Sequence, residues 1–341
     1  MRFVFPILTL CKGGAQRMLA EITNGLSDRG HDVTILMPMQ GDVEYPVRSK
    51  LQRTGNTFLE AADFPYADYI VSNFYTTVYT AQEASLAGKG RHIRLSLCYE
   101  PIFLEDQQTT FPSYNITKDL FVLSEYQQAL VEINHGIKAK VIPVGVSDIF
   151  YNKNSRGNNS TLNISAVLRR PEGGHSWQRN QEELIEAFMQ IKAGYPHVQQ
   201  NIIVPVNEYR QSPQLKRLLR KGIYTVHCPT TDEQLCDIYN KTDIFVSSSI
   251  HESALLPPLE AMKCGAAVVS YYAGGNKDYC RHEETALTSY AYEKNLYDHI
   301  ARLINDENLR HTIAQNGQAE ALKWTWDNSV NRFLDELNEL N

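Results

Sequence analysis

The stretch DIFVSSSIHESALLPPLEAMKCGAAVVSYYAGG, residues 243 to 275, carries the reading of the fold. DIFVSSS is a short apolar run of buried-strand character, and AAVVSYY is another. Between them, Pro257 and Pro258 suit the first turn of a helix, where their missing N–H groups cost nothing, and Gly265 suits its end. Strand, helix and strand in that order make a βαβ unit and hence a parallel sheet. Ligands of such sheets bind at the carboxyl ends of the strands. That places Ile250 to Leu256 at the ligand edge, Glu252 at a cleft and Glu260 in the first helical turn.

The same alternation extends outward in both directions. FVFPILTL, the helical GGAQRMLAEITNGLSDRG and HDVTILMP open the chain, followed by DYIVSN, IRLSLCYE, DLFVLS and AKVIPVG. At 151 to 161 the text becomes YNKNSRGNNST, polar and without apolar period, which has the composition of a linker. The alternation then restarts with LNISAVL and runs through NIIVPV, IYTVHC and the opening stretch to a helical tail. The expected fold class is α/β with two Rossmann-like domains facing across a cleft. The first covers residues 1–150 and the second 160–323, with a C-terminal helix from about 324 to 341 packing back onto the first.

A chain of 341 residues fits two domains of roughly 150 residues each. Its 33 Lys and Arg against 39 Asp and Glu leave a net charge of −6, which argues against a surface built to hold nucleic acid. None of the six cysteines forms a C-x-x-C pair, so the expectation is reduced thiols in a cytoplasmic protein. The opening apolar run, Phe3 to Leu10, is short for an export leader and lacks a small-residue cleavage site. No run approaches the roughly 20 apolar residues of a membrane span.

What would two carboxylates do around a greasy loop? The N–H groups of Ala254, Leu255 and Leu256 and the positive end of the helix suit phosphate oxygens, while Glu252 and Glu260 suit hydroxyls as charge-assisted acceptors. A diphosphate with a polyol at each end, such as a nucleotide sugar, matches that arrangement. The plainer alternative has Glu260 complementing the helix dipole and Glu252 solvated.

Residues 249 to 269 resemble the S-x-x-E-G-F-G-L-P-x-x-E-A-M-A-C-G-x-P-V-V text of GT-B glycosyltransferases of the family 4 type, with its E-x7-E signature. LCKGGAQRMLAEITNGLSDRGHDVTIL resembles that family's opening strand, Gly-Gly loop and helix. VLSEYQQ, VIPVGVSDIF, TTDEQLCDIYNKTDIFVSSS and YAGGNKDY extend the resemblance over almost the whole chain. It implies that Glu252 holds hydroxyls of the donor sugar and Glu260 the ribose. In AVLRRPEGGHSWQRNQEELIEAF it implies that Arg179 and Arg169, with Arg170 as the other candidate, hold the diphosphate. Arg suits this by clamping with parallel bonds; on the residues alone, the reading would be a solvated loop. Gly13 and Gly14, at the first strand-to-helix turn, would let the backbone approach the donor, or simply make a turn.

The departures from the family text fall close to the expected chemistry. Ser253 and Leu255 stand where the family has glycines, which leaves the donor open. LSLCYEP replaces a strand ending in histidine and resembles the D-Y-E-P-type text of rhamnosyltransferase-like members. Glu100 there is a candidate to orient the acceptor or take its proton, or else a buried strand-end carboxylate. The resemblance implies a retaining, metal-independent hexosyltransferase that needs no cofactor. Its partners would be a nucleoside diphosphate sugar and a glycan, polymer or lipid-linked acceptor, the last compatible with peripheral contact at the inner membrane face. A UDP-sugar epimerase or a non-catalytic nucleotide-sugar-binding protein would share the fold. The chain contains no Asp-x-Asp pair for a diphosphate-bound cation.

Overall fold

The structure, a computed structural model, describes residues 1–156, 161–173 and 176–340. It divides into two compact units, one made of Met1–Gly145 with Thr325–Asn341 and the other of Val146–Trp324.

The first unit is a seven-stranded parallel sheet in the order β3-β2-β1-β4-β5-β6-β7. Its strands are β1 (Arg2–Pro6), β2 (Asp32–Met37), β3 (Lys50–Arg53), β4 (Tyr69–Ser72), β5 (Arg91–Leu95), β6 (Leu120–Val122) and β7 (Lys140–Val141). Its helices are α1 (Gly14–Asp28), α2 (Tyr75–Leu86), α3 (Glu100–Phe103), α4 (Gln107–Thr110) and α5 (Glu125–His135). In β1 the consecutive residues Phe3, Val4 and Phe5 are all buried, because helices cover both faces of a parallel sheet and leave no solvent side. Helix α1 buries Met18, Leu19, Ile22 and Leu26 at helical spacing.

The second unit is a six-stranded parallel sheet in the order β10-β9-β8-β11-β12-β13. Its strands are β8 (Asn163–Val167), β9 (Gln199–Ile203), β10 (Thr225–His227), β11 (Ile244–Ser247), β12 (Ala267–Tyr271) and β13 (Leu287–Ser289). Around them lie α6 (Gln181–Gly194), α7 (Val206–Gln211), α8 (Pro213–Leu219), α9 (Asp232–Lys241), α10 (Leu256–Lys263), α11 (Leu296–Asn305) and α12 (Glu307–Ala321). Ile164, Ala166, Val246 and Val269 from the strands pack against Leu184 and Phe188 of α6 in one core. From β8 the chain adds β9 and β10 on one side, then returns to place β11, β12 and β13 on the other. The connections after β8 and β11 therefore part in opposite directions, which opens a crevice at their carboxyl ends.

A last helix, α13 (Trp326–Asn338), belongs to the first unit. Its Phe333 is fully buried, with ring centroids 6.3 Å from Phe3, 6.4 Å from Phe5 and 5.3 Å from Phe121. Gly25 of α1 allows the approach, since a Cβ there would lie 2.4 Å from Cγ2 of Val330.

The unit boundary differs from the expected linker at 151–161. The chain passes between units at Gly145/Val146 and again at Trp324/Thr325. Residues 151–156 are bonded into the second unit instead. Asn240 Nδ2 donates to the Tyr151 carbonyl at 2.9 Å, and Lys153 N–H donates to Asn240 Oδ1 at 2.7 Å. Arg156 donates to the carbonyls of Thr242 and Tyr239, both at 2.7 Å. Polar composition here supplies hydrogen bonds to the end of α9; residues 157–160 of the same run lie outside the described residues.

Candidate functional site

The two loops at the switch point are bonded to each other. After β8 the chain reaches a 3-10 turn, Trp177–Arg179, before α6; after β11 it runs from Ser248 into α10. Ile250 N–H donates to the Gln178 carbonyl at 2.7 Å, and Ser248 Oγ donates to the Arg179 carbonyl at 2.6 Å. The Arg179 guanidinium then lies 3.5 Å from Glu252 Oε1, which also accepts from Ser249 Oγ at 3.2 Å. A crevice beside them is lined by Val167, Arg179, Ser248, Ser249, Leu255 and Pro257.

The backbone of Glu252 is strapped to the loop after β12. Its N–H donates to the Ala273 carbonyl at 2.6 Å, and its carbonyl accepts from Gly275 N–H at 2.8 Å. Only glycine fits at 275, where a Cβ would lie 2.1 Å from the Ser253 carbonyl oxygen, and Gly274 turns the chain at φ +103°. With its side chain only 12% exposed, Glu252 is pushed above the ordinary carboxylate range by burial, against the pull of Arg179, Ser249 and Arg169. The Ser253 hydroxyl beside it is buried and has no hydrogen-bond partner among the described residues.

Helix α10 begins at Leu256 with Leu255 as its N-cap, and prolines hold its second and third positions. Those prolines remove two N–H groups that a helix start would otherwise present, which leaves Ala254, Leu255 and Leu256 as the donors of this turn. The helix start therefore presents fewer backbone donors than one without prolines would. Gly265 closes the helix at φ +85°, with Gly265 N–H donating to Met262 at 2.8 Å and Ala266 N–H to Ala261 at 2.9 Å. Glu260 is the fifth residue of α10, one position past the first turn in which the sequence placed it. It accepts from the hydroxyl of the fully buried Tyr239 at 3.1 Å, so a hydrogen bond from the core orients its carboxylate.

Arg169 and Arg170 are held by a residue that the sequence did not single out. Glu208 of α7 accepts from Arg169 Nε at 2.8 Å and Nη2 at 2.5 Å, and from the Arg170 N–H at 2.6 Å. Burial would raise the Glu208 carboxyl, but the bonds from Arg169 and Arg170 bring it below the ordinary range. The signal was a carboxylate in NEYRQS, one strand away from two adjacent arginines. The Arg170 side chain is exposed.

Gly13, Gly14 and Glu100 lie in the first unit. Gly13 caps α1 with φ 179°, extended backbone open to any residue, and its N–H donates to Tyr45 Oη at 3.1 Å; Gly14 opens the helix. Glu100 is a correction to the sequence reading. It is 1% exposed and receives Arg94 Nη2 on both oxygens at 2.9 Å, together with the Tyr114 hydroxyl. The fully buried Arg94 lies over the Tyr114 ring at 3.7 Å and donates to Ser113 Oγ at 3.0 Å. A carboxylate so enclosed is an internal counter-ion, closed off by burial from an acceptor hydroxyl.

Among the described residues, no three His, Cys, Asp or Glu side chains gather as metal ligands, and no helix is long and apolar enough to cross a membrane. All six cysteines are free.

Residues 173–320 match the family described as Glycosyl transferases group 1. Over 173 residues the chain is 26% identical to the serotype-specific mannosyltransferase WbdA of Escherichia coli, covering 48% of this chain and 20% of that protein. Over 112 residues it is 30% identical to a D-inositol 3-phosphate glycosyltransferase of Salinispora arenicola, covering 33% of this chain and 25% of the relative. The matches thus span a quarter or less of these relatives. The fold extends further than the sequence similarity. Sucrose-phosphate synthase from Thermosynechococcus elongatus aligns with 100% of this chain and 99% of its own at TM-score 0.80 and 16% identity. Anabaena Alr3699/HepE in complex with UDP-glucose aligns with 99% of this chain and 100% of its own at TM-score 0.79 and 18% identity. The chain has the GT-B fold of these structures.

Two outcomes test the site as built. Glu100→Ala leaves the buried Arg94 charge without its counter-ion and should cost about 3 to 5 kcal/mol in urea unfolding; unchanged stability with lost activity would restore Glu100 to the chemistry. For Glu252, a raised carboxyl pKa means that the folded protein binds the proton more tightly than the unfolded chain. Its contribution to stability is complete below the unfolded value of about 4.3 and is lost as pH rises through the folded value. Glu252→Gln should therefore gain stability relative to the parent between about pH 4 and pH 7, read from urea midpoints at each pH. A variant that instead lost ground over that interval would show the carboxylate to be stabilised by Arg179 outright.

Proposed function

We propose that the chain is a retaining glycosyltransferase that moves a hexose from a nucleoside diphosphate donor to a hydroxyl of a glycan, polymer or lipid-linked acceptor. The observation that carries this reading is the meeting of Arg179, Glu252 and the start of α10 at the switch point of one parallel sheet. Its support from relatives is the group 1 match over residues 173–320, which include Arg179, Glu252 and α10, and the glycosyltransferase names of the proteins it resembles.

The residues divide the work by charge. Arg179, with Arg169 and Arg170 beside Glu208, and the N–H groups of Ala254, Leu255 and Leu256 neutralise the diphosphate as it leaves. Glu252 accepts from hydroxyls of the transferred sugar, the Ser253 hydroxyl takes one further bond, and Glu260, oriented by Tyr239, accepts from the ribose. Leu255 fills the space beside the sugar that a glycine would leave open. No cofactor takes part, and the leaving charge is met by arginine and backbone without a bound cation.

Replacing Glu252 by Ala should lower turnover by about 10- to 150-fold, the worth of one charged hydrogen bond of roughly 1.5 to 3 kcal/mol acting at the transition state, with nucleotide affinity unchanged. Glu260→Ala should do the reverse and weaken binding of free UDP or GDP by calorimetry. An exchange of these two phenotypes would mean that the glutamates had been assigned the wrong way round. A second experiment concerns the leaving group: transfer should survive EDTA, and Arg179→Ala should lower it sharply. Loss of transfer on chelation, with recovery on added Mg²⁺ or Mn²⁺, would place a metal where the arginines are assigned.

A further inference from the structure

Of the three tryptophans, Trp177 alone is exposed, at 49%, and it stands at the rim of the candidate site. It belongs to the 3-10 turn that ends in Arg179, and the residues on either side of it are fixed. Arg179 N–H donates to the Ser176 carbonyl at 3.0 Å, Asn180 N–H to the Trp177 carbonyl at 3.2 Å, and the Gln178 carbonyl accepts from Ile250. The indole lies nearly parallel to the imidazole of His251, with an interplanar angle of 13° and centroids 6.5 Å apart. His251 is buried and directly precedes Glu252. One ring therefore comes from the loop after β8 and the other from the loop after β11, so the backbone bonds that place Arg179 also anchor the turn that carries the indole.

A large apolar ring held rigid and half in solvent loses little conformational freedom when it is covered. The crevice is lined by Arg179, Ser248 and Ser249, and Glu252 lies beside Arg179, charged and hydroxyl groups that serve the polar edge of a sugar. A pyranose also has a C–H face that none of these groups can use. Sites for small molecules combine a few placed polar groups with apolar or aromatic wall, and here Trp177 is the aromatic wall.

We propose that Trp177 is a specificity-determining residue whose indole stacks on the C–H face of a pyranose ring, supplied by the donor sugar or by the acceptor. The proposal rests on the glycosyltransferase reading. Two kinds of probe separate the two sources, and a third tests the reading itself.

The experiment uses the full chain and its Trp177→Phe and Trp177→Ala variants, titrated with UDP and GDP, with UDP-glucose and GDP-mannose, and with methyl glucoside and methyl mannoside. Calorimetry and tryptophan fluorescence are recorded together. For a donor sugar, a nucleotide sugar quenches the parent while its bare nucleotide does not. Trp177→Ala then weakens the nucleotide sugar about tenfold and leaves the nucleotide within twofold. Trp177→Phe abolishes the quench but recovers most of the affinity, which a loop damaged by the substitution would not do. For an acceptor ring, the same pattern appears with a methyl glycoside instead. Equal quenching by bare UDP or GDP would overturn the proposal, because the indole would then be covering the base. So would unchanged affinity in Trp177→Ala for every sugar-bearing probe that binds the parent, or the absence of any sugar-dependent quench. If neither nucleotides nor nucleotide sugars bind the parent, the nucleotide-sugar reading fails, while the methyl glycosides still decide for or against the tryptophan.

Discussion

The pairing of β11 with β8, in register from Ile244 opposite Ile164 to Val246 opposite Ala166, is the constraint on which the site depends. These strands are neighbours in space but are separated in the chain by β9, β10 and four helices. Because their connections leave in opposite directions, the loops after them cannot fill the space above their ends with their own helices. Arg179 arrives from one loop and Glu252 from the other. The hydrogen bonds between Ile250 and Gln178 and between Ser248 and Arg179 hold the two together before any ligand binds.

The carboxylate at the centre is held against its own solvation. Burial opposes the charge of Glu252, and Arg179 offsets only part of that opposition. The strap to Ala273 and Gly275 fixes the backbone from which its side chain extends. A carboxylate already dehydrated needs little reorganisation when a hydroxyl is brought to it. Glu100 shows the opposite use of the same chemistry. Bonded on both oxygens to Arg94 and on one to Tyr114, it serves as a counter-ion inside the first unit.

Much of the fold was legible because the central strands of a parallel sheet are covered on both faces and therefore spell continuous apolar runs, as Phe3 to Phe5 and Ile244 to Val246 do. The edge strands were not. β3 reads KLQR with three of its four residues exposed, and β7 is two residues long, so neither carries a pattern. Within the site, proline and glycine punctuation showed where α10 starts and stops, but counting could not show that its first residue is Leu256, which carries Glu260 out of the first turn. The pairing of Arg169 with Glu208 joins residues 39 positions apart, and nothing local signals it. For Glu100 the sequence left two readings open, although a nearby residue favoured the buried one. Arg94 lies inside the buried strand β5, and an arginine there needs a buried carboxylate close by.

The first unit is discontinuous along the chain. Its sheet is complete by residue 145, yet Phe333 from α13 is among the side chains that fill the space between Phe3, Phe5 and Phe121. During synthesis from the amino end, that sheet emerges first and has to wait, with those phenylalanines incompletely covered, while the whole of Val146–Trp324 is made. The second unit, begun later, contains every strand and helix of its own core and can finish first. The core of the first unit is therefore completed only after the second unit has been made, and the interval before residue 325 emerges is when the chain most needs protection from its neighbours.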